Sequence, residues 1–242
     1  MTERDYPGPD SRQIQEMFAG IAHRYDFLNH FLSASIDRRW RKAAVTKVRE
    51  LMGLPPPILC LDLCSGTGDL AIALHQEFRC NVVASDFCHP MLTRANAKFR
   101  ERSVRSVEAD ALSLPFRGRS FDAVTVAFGL RNLEDPRRGL KEMHRVLKPG
   151  GAVVILEFSK PVVPVFKHAF NFYFRHILPK LGAAVSGNGS AYQYLPDSVR
   201  KFPAQEELVE FMRSCGFRDV QCRNLHGGIA ALHWGRSLDS GG

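Results

Sequence analysis

The chain has 242 residues, a formal net charge of +8 (33 Lys and Arg against 25 Asp and Glu) and 45% hydrophobic residues. That length and apolar content suit one generous α/β domain with a terminal extension, and they exclude a largely disordered protein. The basic balance admits nucleic acid, an anionic substrate or a membrane surface as partner and selects none of them.

Residues 1–10, MTERDYPGPD, form a polar lead-in without the apolar core of a signal peptide, and no window reaches the length of a membrane span. A short amphipathic helix is expected from Ser11, where Ile14, Met17, Phe18 and Ile21 keep helical spacing. AHRYDFLNHFLSASIDRRWRKAAVTKVREL follows, with Arg38, Arg39, Arg41, Lys42, Lys47 and Arg49 crowding its second half. Two readings stand: a solvated helix face over ordinary core aromatics, or a lid with an aromatic substrate side and a basic phosphate side. Pro55-Pro56-Pro57 marks the boundary between a helical extension (1–57) and the main domain (58–235).

The main domain opens with ILCLDLCSGTGDLAIAL (58–74): an apolar run ending in Asp62, a glycine turn, then an apolar helix pattern. Strand, tight turn and helix in that order lay a nucleotide-like cofactor over the carboxyl end of the first strand. Gly66 supplies backbone angles closed to other residues, and Gly68 lets a ligand approach the main chain. The third glycine of the dinucleotide fingerprint is absent, so a nicotinamide oxidoreductase is disfavoured. Asp62 before the turn and Asp69 after it suit a cationic ligand better than a pyrophosphate, and S-adenosylmethionine has such a positive centre.

NVVASD (81–86) is a second strand ending in an acid, and Asp86 stands 24 residues beyond Asp62. A doubly wound fold uses a carboxylate there for ribose hydroxyls; the alternative is a cap on the helix expected over 89–99. VRSVEADALSLPF gives a third strand and then Asp110-Ala111, where the carboxylate either takes an adenine amino proton or serves as a turn acid. FDAVTVAF (121–128) reads as a central fourth strand ending in the polar loop 129–135. A helix over 137–147, a hard turn at 148–151 and a fifth strand (152–158) follow. The repeated βαβ pattern predicts an α/β fold with a mostly parallel sheet and right-handed crossovers.

From Pro161 the pattern changes to an aromatic-rich insertion reaching about residue 200, with Phe166, Phe170, Tyr173, Phe174 and Ile177 on one helical stripe. Core packing, a wall for a bulky apolar substrate and a shallow membrane seat are the readings open to it. SGNGSAYQYLPDSVRKFP (186–203) reads as a polar flap. A helix over 204–215 precedes two runs joined by His226-Gly227-Gly228, a terminal hairpin on the sheet edge, and 236–242 is a tail. The six cysteines include no C-x-x-C pair, so they read as reduced cytosolic thiols and no metal site is expected.

These residues together resemble the class I S-adenosylmethionine-dependent methyltransferases. The closer likeness is to the ubiquinone/menaquinone biosynthesis C-methyltransferase family, UbiE/MenG. RYDFLNHFLSASIDRRWR (24–41) and RVLKPGGAVVILEFSKP (145–161) look like its two signatures, with LDLCSGTGDLA, DALSLPF, FGLRNLED and YQYLPDSVRKFP between and after them. The chain departs from the pattern at Ser35-Ile36-Asp37, where a glycine, one residue and a histidine are common, and at His226, where a threonine is. The resemblance implies a Rossmann-like, seven-stranded sheet with helices on both faces, a reversed final hairpin and an N-terminal helical lid. It implies that Thr67, Asp86, Asp110, Ala111 and Ala127 line the cofactor pocket, and that the reaction is ring methylation of demethylmenaquinol. The methoxy-benzoquinol of the ubiquinone pathway is the alternative acceptor, and another lipid-like acceptor such as a sterol is a further one.

Such a reaction needs a base near a quinol hydroxyl and a group that steadies the phenolate. Asp69, Arg131 and Asn132, at the carboxyl edge of the sheet, are the candidates for the chemistry, with Tyr25, Asn29 and His30 on the substrate side. Pairing of Arg131 with Glu134 or Asp135, merely fixing the loop, is the competing account. A polyprenyl quinol lies in a bilayer, so a cytoplasmic protein that visits the inner membrane face is expected, with a homodimer left open. Nucleic-acid binding would rest on charge alone and is not expected.

Overall fold

The computed structural model describes residues 8–25, 36–53, 58–100, 102–164 and 190–238. Asp10 begins the first helix, α1 (Ser11–Ile21), by accepting the N–H groups of Arg12 (2.9 Å) and Gln13 (3.0 Å). A 3₁₀ turn (Ala22–Arg24) follows, and then α2 (Ile36–Met52). Burial along α2 recurs at Asp37, Trp40, Ala44, Val45 and Val48, while Arg38, Arg39 and Lys42 face solvent. These exposed members of the basic stretch therefore lie on the outer face of an amphipathic helix, as the first of the two readings had it.

The alternation continues through β1 (Leu59–Leu63), α3 (Asp69–Phe78), β2 (Asn81–Asp86), α4 (His89–Phe99), β3 (Val104–Glu108) and β4 (Phe121–Ala127). A 3₁₀ turn (Leu130–Asn132) leads to α5 (Pro136–Val146), which carries Asp135 as its cap and Pro136 in its first turn. The rest comprises β5 (Leu147–Phe158), α6 (Ser190–Lys201), α7 (Gln205–Ser214), β6 (Arg218–Leu225) and β7 (Ala230–Arg236). The seven strands lie in the order β3-β2-β1-β4-β5-β7-β6. All pairings are parallel except β5 with β7 and β6 with β7. The expected reversed hairpin is present, with β7 inserted so that β6 forms the edge.

Alternating strand residues divide the core in two. Leu61, Leu63, Val124, Val126, Val153 and Ile155 meet α5 and α7 through Leu140, Met143, Leu208 and Met212. Cys60, Val82, Ala84, Ala123, Val154 and Leu156 meet α2, α3 and α4 through Trp40, Leu74, Ala95 and Phe99. Helices thus cover both faces, the two-sided burial that near-continuous apolar strands require. α2 belongs to this second layer, so the extension preceding residue 58 contributes directly to the core.

Three segments differ from expectation. The turn at 148–151 lies inside β5, as an irregularity that steps the register from Phe121↔Leu147 to Ala123↔Ala152, with Gly150 at φ +73°. The stretch expected as a flap is helix α6 from Ser190 onward, in spite of Pro196; burial of Val199 and Phe202 against the core outweighs one lost helical hydrogen bond. Arg236, placed in the tail, closes β7, and Ser237 donates to Gly151 O (2.9 Å). The proline boundary at 55–57, Asn29, His30 and the aromatic stripe at 166–177 lie outside the described residues.

Candidate active site

Strand order reverses between β1 and β4, and ligands of open parallel sheets lie at the carboxyl ends of the strands beside such a point. Two pockets occur there. One is lined by Asp86, Asp110, Ala111 and Asn132, with Ser11 of α1 at its rim; the other by Tyr25, Asp62, Gly66, Thr67, Asp69 and Ala127. The first is closed by the N-terminal segment: Gly8 N–H reaches Glu134 O (3.1 Å), Ser11 Oγ reaches Glu134 Oε2 (2.9 Å) and Gln15 Nε2 reaches Phe87 O (2.8 Å).

The glycine turn connects the two. Gly66 sits at φ +55° and donates to Asp86 Oδ2 (2.8 Å), and the other Asp86 oxygen accepts the Cys88 N–H (2.9 Å) at the cap of α4. The capping alternative for Asp86 is thus realised, and the carboxylate also lines the first pocket. Burial pushes its pKa up, against the pull of the Cys88, Gly66 and Phe87 N–H groups. Gly68 has a second reason to be glycine: at φ +83°, a Cβ there would fall 2.3 Å from the Phe99 ring. Its bareness lets α4 pack against the turn.

Asp62 is 1% exposed, accepts Thr125 Oγ1–H (2.8 Å) through one oxygen, and has no partner for the other among the described residues. Burial raises its carboxyl to about 7, opposed by the Thr125 bond and by Arg41. Ser65 Oγ is likewise buried without a partner among the described residues. Tyr25 lies over the turn, its Cε1 3.7 Å from where a Gly66 Cβ would be. Asp110 accepts the Leu112 N–H (2.9 Å), so the turn-acid role is realised, and it too lines the first pocket.

The three residues proposed for the chemistry are differently placed. Asp69 opens α3 and is held by Lys98 (2.9 Å) and Arg41 (3.6 Å). Arg131 is buried and lines neither pocket. Its Nη1 donates to Glu157 Oε1 (2.7 Å) and to Phe128 O (2.5 Å), while Glu157 Oε2 accepts the Arg131 N–H (3.2 Å). The loop acids named as its partners are engaged elsewhere: Glu134 with Ser11, Asp135 with the Arg138 N–H. Burial pulls the Arg131 pKa down, but Glu157, Tyr194 and Tyr25 together outweigh it and the net direction is upward. Asn132 is fixed at both ends of its amide, donating to Phe128 O (3.3 Å) and accepting from the Tyr194 hydroxyl (2.8 Å).

Glu157 and Tyr194 were not foreseen as members of this network. Glu157 carried a signal, a lone acid inside the apolar run VVILEF; Tyr194 lay in the stretch read as a flap.

A family model described as the ubiE/COQ5 methyltransferase family matches residues 8–237. The chain belongs to the ubiE/COQ5 methyltransferase family. It is 46% identical to the demethylmenaquinone methyltransferase of Deinococcus radiodurans, over 96% of this chain and 98% of that protein. A ubiquinone/menaquinone biosynthesis C-methyltransferase UbiE of Geobacter sp. is 45% identical over 92% of this chain and 95% of its own length. Among solved structures, the cyclase SpnF superposes with a TM-score of 0.70 at 17% identity, over 98% of this chain and 99% of that one, a likeness of fold. This member of the ubiE/COQ5 family is an S-adenosylmethionine-dependent methyltransferase acting in a quinone pathway.

The residues present fit that cofactor. A buried carboxylate oxygen without a donor is a place for a cationic group, and the bare Gly66 turn leaves room beside it. The raised Asp62 pKa has a measurable sign. The folded state holds this proton more tightly than the unfolded chain, so the stability it contributes is full below about 4 and lost as pH rises through about 7. Cofactor-free Asp62→Asn is expected to gain on the parent as pH rises from about 4 to about 7, and to keep that gain above, in thermal melts. Parallel pH profiles for the two proteins would show that Asp62 is already ionised in the folded state.

Proposed function

We propose that this chain methylates a ring carbon of demethylmenaquinol with S-adenosylmethionine, releasing menaquinol and S-adenosylhomocysteine. The observation that carries the acceptor is the full-length match to the Deinococcus enzyme. The printed name of the Geobacter relative covers both quinones, which makes the methoxy-benzoquinol of the ubiquinone pathway the second reading.

In this reading Asp62, Gly66, Thr67 and Gly68 hold the methionine end, Asp86 the ribose, Asp110 and Ala111 the adenine, and Ala127 the strand end beside them. Residues 58–235 carry the cofactor domain, with Tyr25 of the preceding extension toward the acceptor. Bound S-adenosylmethionine supplies an electrophilic methyl group on a positively charged sulfur. The work left to the chain is to orient the quinol ring and to manage one hydroxyl proton. Asp69, on the sheet edge between two cations, receives that proton through water. Arg131 does not deprotonate; anchored by Glu157, it holds the Phe128–Asn132 turn so that the fixed Asn132 amide and the positive field beneath it meet the developing phenolate.

Among the described residues no helix is long and apolar enough to cross a membrane. Val162 and Val163 are exposed, and Arg38, Arg39 and Lys42 present charge outward from α2. These features support a protein on the cytoplasmic side that meets the bilayer surface to take its acceptor. The test supplies labelled S-adenosylmethionine and either reduced demethylmenaquinone or the methoxy-benzoquinol, in neutral and in anionic vesicles. Faster transfer to demethylmenaquinol, and faster from anionic vesicles at low salt, is expected. Preference for the benzoquinol would overturn the acceptor, and indifference to vesicle charge would overturn the surface contact.

A further inference from the structure

Among the basic residues of α2, Arg41 is the one that lines the pocket of the glycine turn. Arg38, Arg39 and Lys42 are exposed, Lys47 pairs with Glu50 and lies 4.1 Å over the Trp234 ring, and Arg49 pairs with Glu77. The Arg41 side chain turns inward instead, only 12% exposed, and lines the pocket that holds Asp62 and the glycine turn.

Three carboxylates surround this guanidinium. Asp37, buried one helical turn before it, is 2.5 Å from Nη1; Asp69 Oδ2 is 3.6 Å from the same nitrogen; and Asp62 feels its charge. Asp37 and Asp69 both engage Nη1, so they hold the side chain from one edge. A guanidinium has five donors in a planar fork. Its Nη2 and Nε groups make no hydrogen bond among the described residues. A forked edge of that kind matches a carboxylate, with two parallel hydrogen bonds.

The same pocket holds the buried oxygen of Asp62 that accepts no hydrogen bond among the described residues. One cavity therefore contains a partnerless acceptor and a cation with donors to spare. That pair complements the two charges of an α-amino acid, ammonium on one side and carboxylate on the other. Resting on the methyltransferase reading above, we propose that Arg41 binds the carboxylate of the cofactor's methionyl group. Asp37 and Asp69 are its positioning residues: they preset the fork, so little side-chain freedom is lost on binding. The role also ties α2 to cofactor occupancy, since the helix that covers one face of the sheet supplies a direct contact to the ligand.

The competing account is that Arg41 only joins α2 to α3 through Asp37 and Asp69. The two accounts separate with a pair of ligands. S-adenosylhomocysteine keeps the amino-acid end, and methylthioadenosine keeps the nucleoside and sulfur but lacks that end. Titration calorimetry of the full chain, of Arg41→Met and of Arg41→Lys is read as the ratio of the two affinities. A partial loss of folded protein scales both ligands alike and cancels in this ratio. Loss of one charge-assisted, two-point contact predicts that Arg41→Met weakens S-adenosylhomocysteine about 10- to 100-fold and methylthioadenosine less than about 3-fold. Arg41→Lys, which keeps the charge without the fork, is expected between the parent and the Met variant, and it carries the test if the Met variant does not fold. An unchanged ratio in Arg41→Lys and Arg41→Met would overturn the assignment. A parent chain that binds neither ligand would overturn the cofactor reading beneath it.

Discussion

Arg131→Ala is expected to lose about 3–5 kcal/mol of folding stability, because it leaves the Glu157 carboxylate buried with its charge uncompensated. For a chain of this size that corresponds to a fall of roughly 6–20 °C in melting temperature. Methyl transfer is expected to fall as well, and by more than cofactor affinity does, because Arg131 fixes the turn at the acceptor side. Stability and chemistry can be separated through the partner. Glu157→Gln in the Arg131→Ala background removes the orphaned charge while keeping one acceptor oxygen, enough for one of the two N–H groups, of residues 131 and 158, that the carboxylate receives. The double variant should recover part of the lost melting temperature, with single-turnover transfer staying low at a temperature well below both melts. Recovery of near-parental transfer in the double variant would reduce Arg131 to a structural residue. Arg131→Lys provides the intermediate case, retaining charge while losing the longer, planar guanidinium whose Nη1 reaches both Glu157 and Phe128 O.

Asp86→Ala is the second large effect. The carboxylate accepts from Gly66 and Cys88, so its removal loosens the glycine turn and uncaps α4 in one step. Each charge-assisted hydrogen bond contributes about 1.5–3 kcal/mol, and the cost of burying the carboxylate offsets part of the two, which makes a stability loss of about 2–4 kcal/mol the expected result. Cofactor affinity should drop by a further about 1.5–3 kcal/mol if Asp86 holds the ribose as proposed, with a turn that must also reorder on binding. Asp86→Asn keeps one acceptor oxygen and should lose affinity with a smaller melting change. Calorimetry finding full cofactor affinity in folded Asp86→Asn and Asp86→Ala would confine Asp86 to the capping role.

What could be read in advance followed from periodicity and turn chemistry. β1, the glycine turn and α3 were legible because an apolar run, two glycines and a new apolar spacing fall within 17 residues. Helix α4 was legible because its apolar face recurs at Met91, Leu92, Ala95 and Phe99. Long-range choices were not. Glu157 stands out as a lone acid in an apolar run, but its partner Arg131 is evident only once β5 is set beside β4. Arg41 differs from Arg38 and Arg39 only by the helix face it occupies, which needs the position of α3 to acquire meaning. Tyr194 was hidden by glycines and a proline that composition assigns to a loop; burial of Val199 and Phe202 decides otherwise. The two roles of Asp86 were both visible, and the structure shows why they are compatible. Asp86 Oδ2 accepts the Gly66 N–H and Oδ1 the Cys88 N–H, and a carboxylate oxygen has a second lone pair with which it can accept again.

The account rests on carbon methylation of a quinol ring by this pocket. Its most direct test is a single turnover with S-adenosylmethionine carrying a ¹³C methyl group and reduced demethylmenaquinone, followed by carbon NMR of the extracted product. The account predicts one labelled methyl on a ring carbon, with both quinol oxygens free to reoxidise to the quinone. A labelled methyl ether on a quinol oxygen, or no transfer to demethylmenaquinol by folded, cofactor-bound protein, would contradict it.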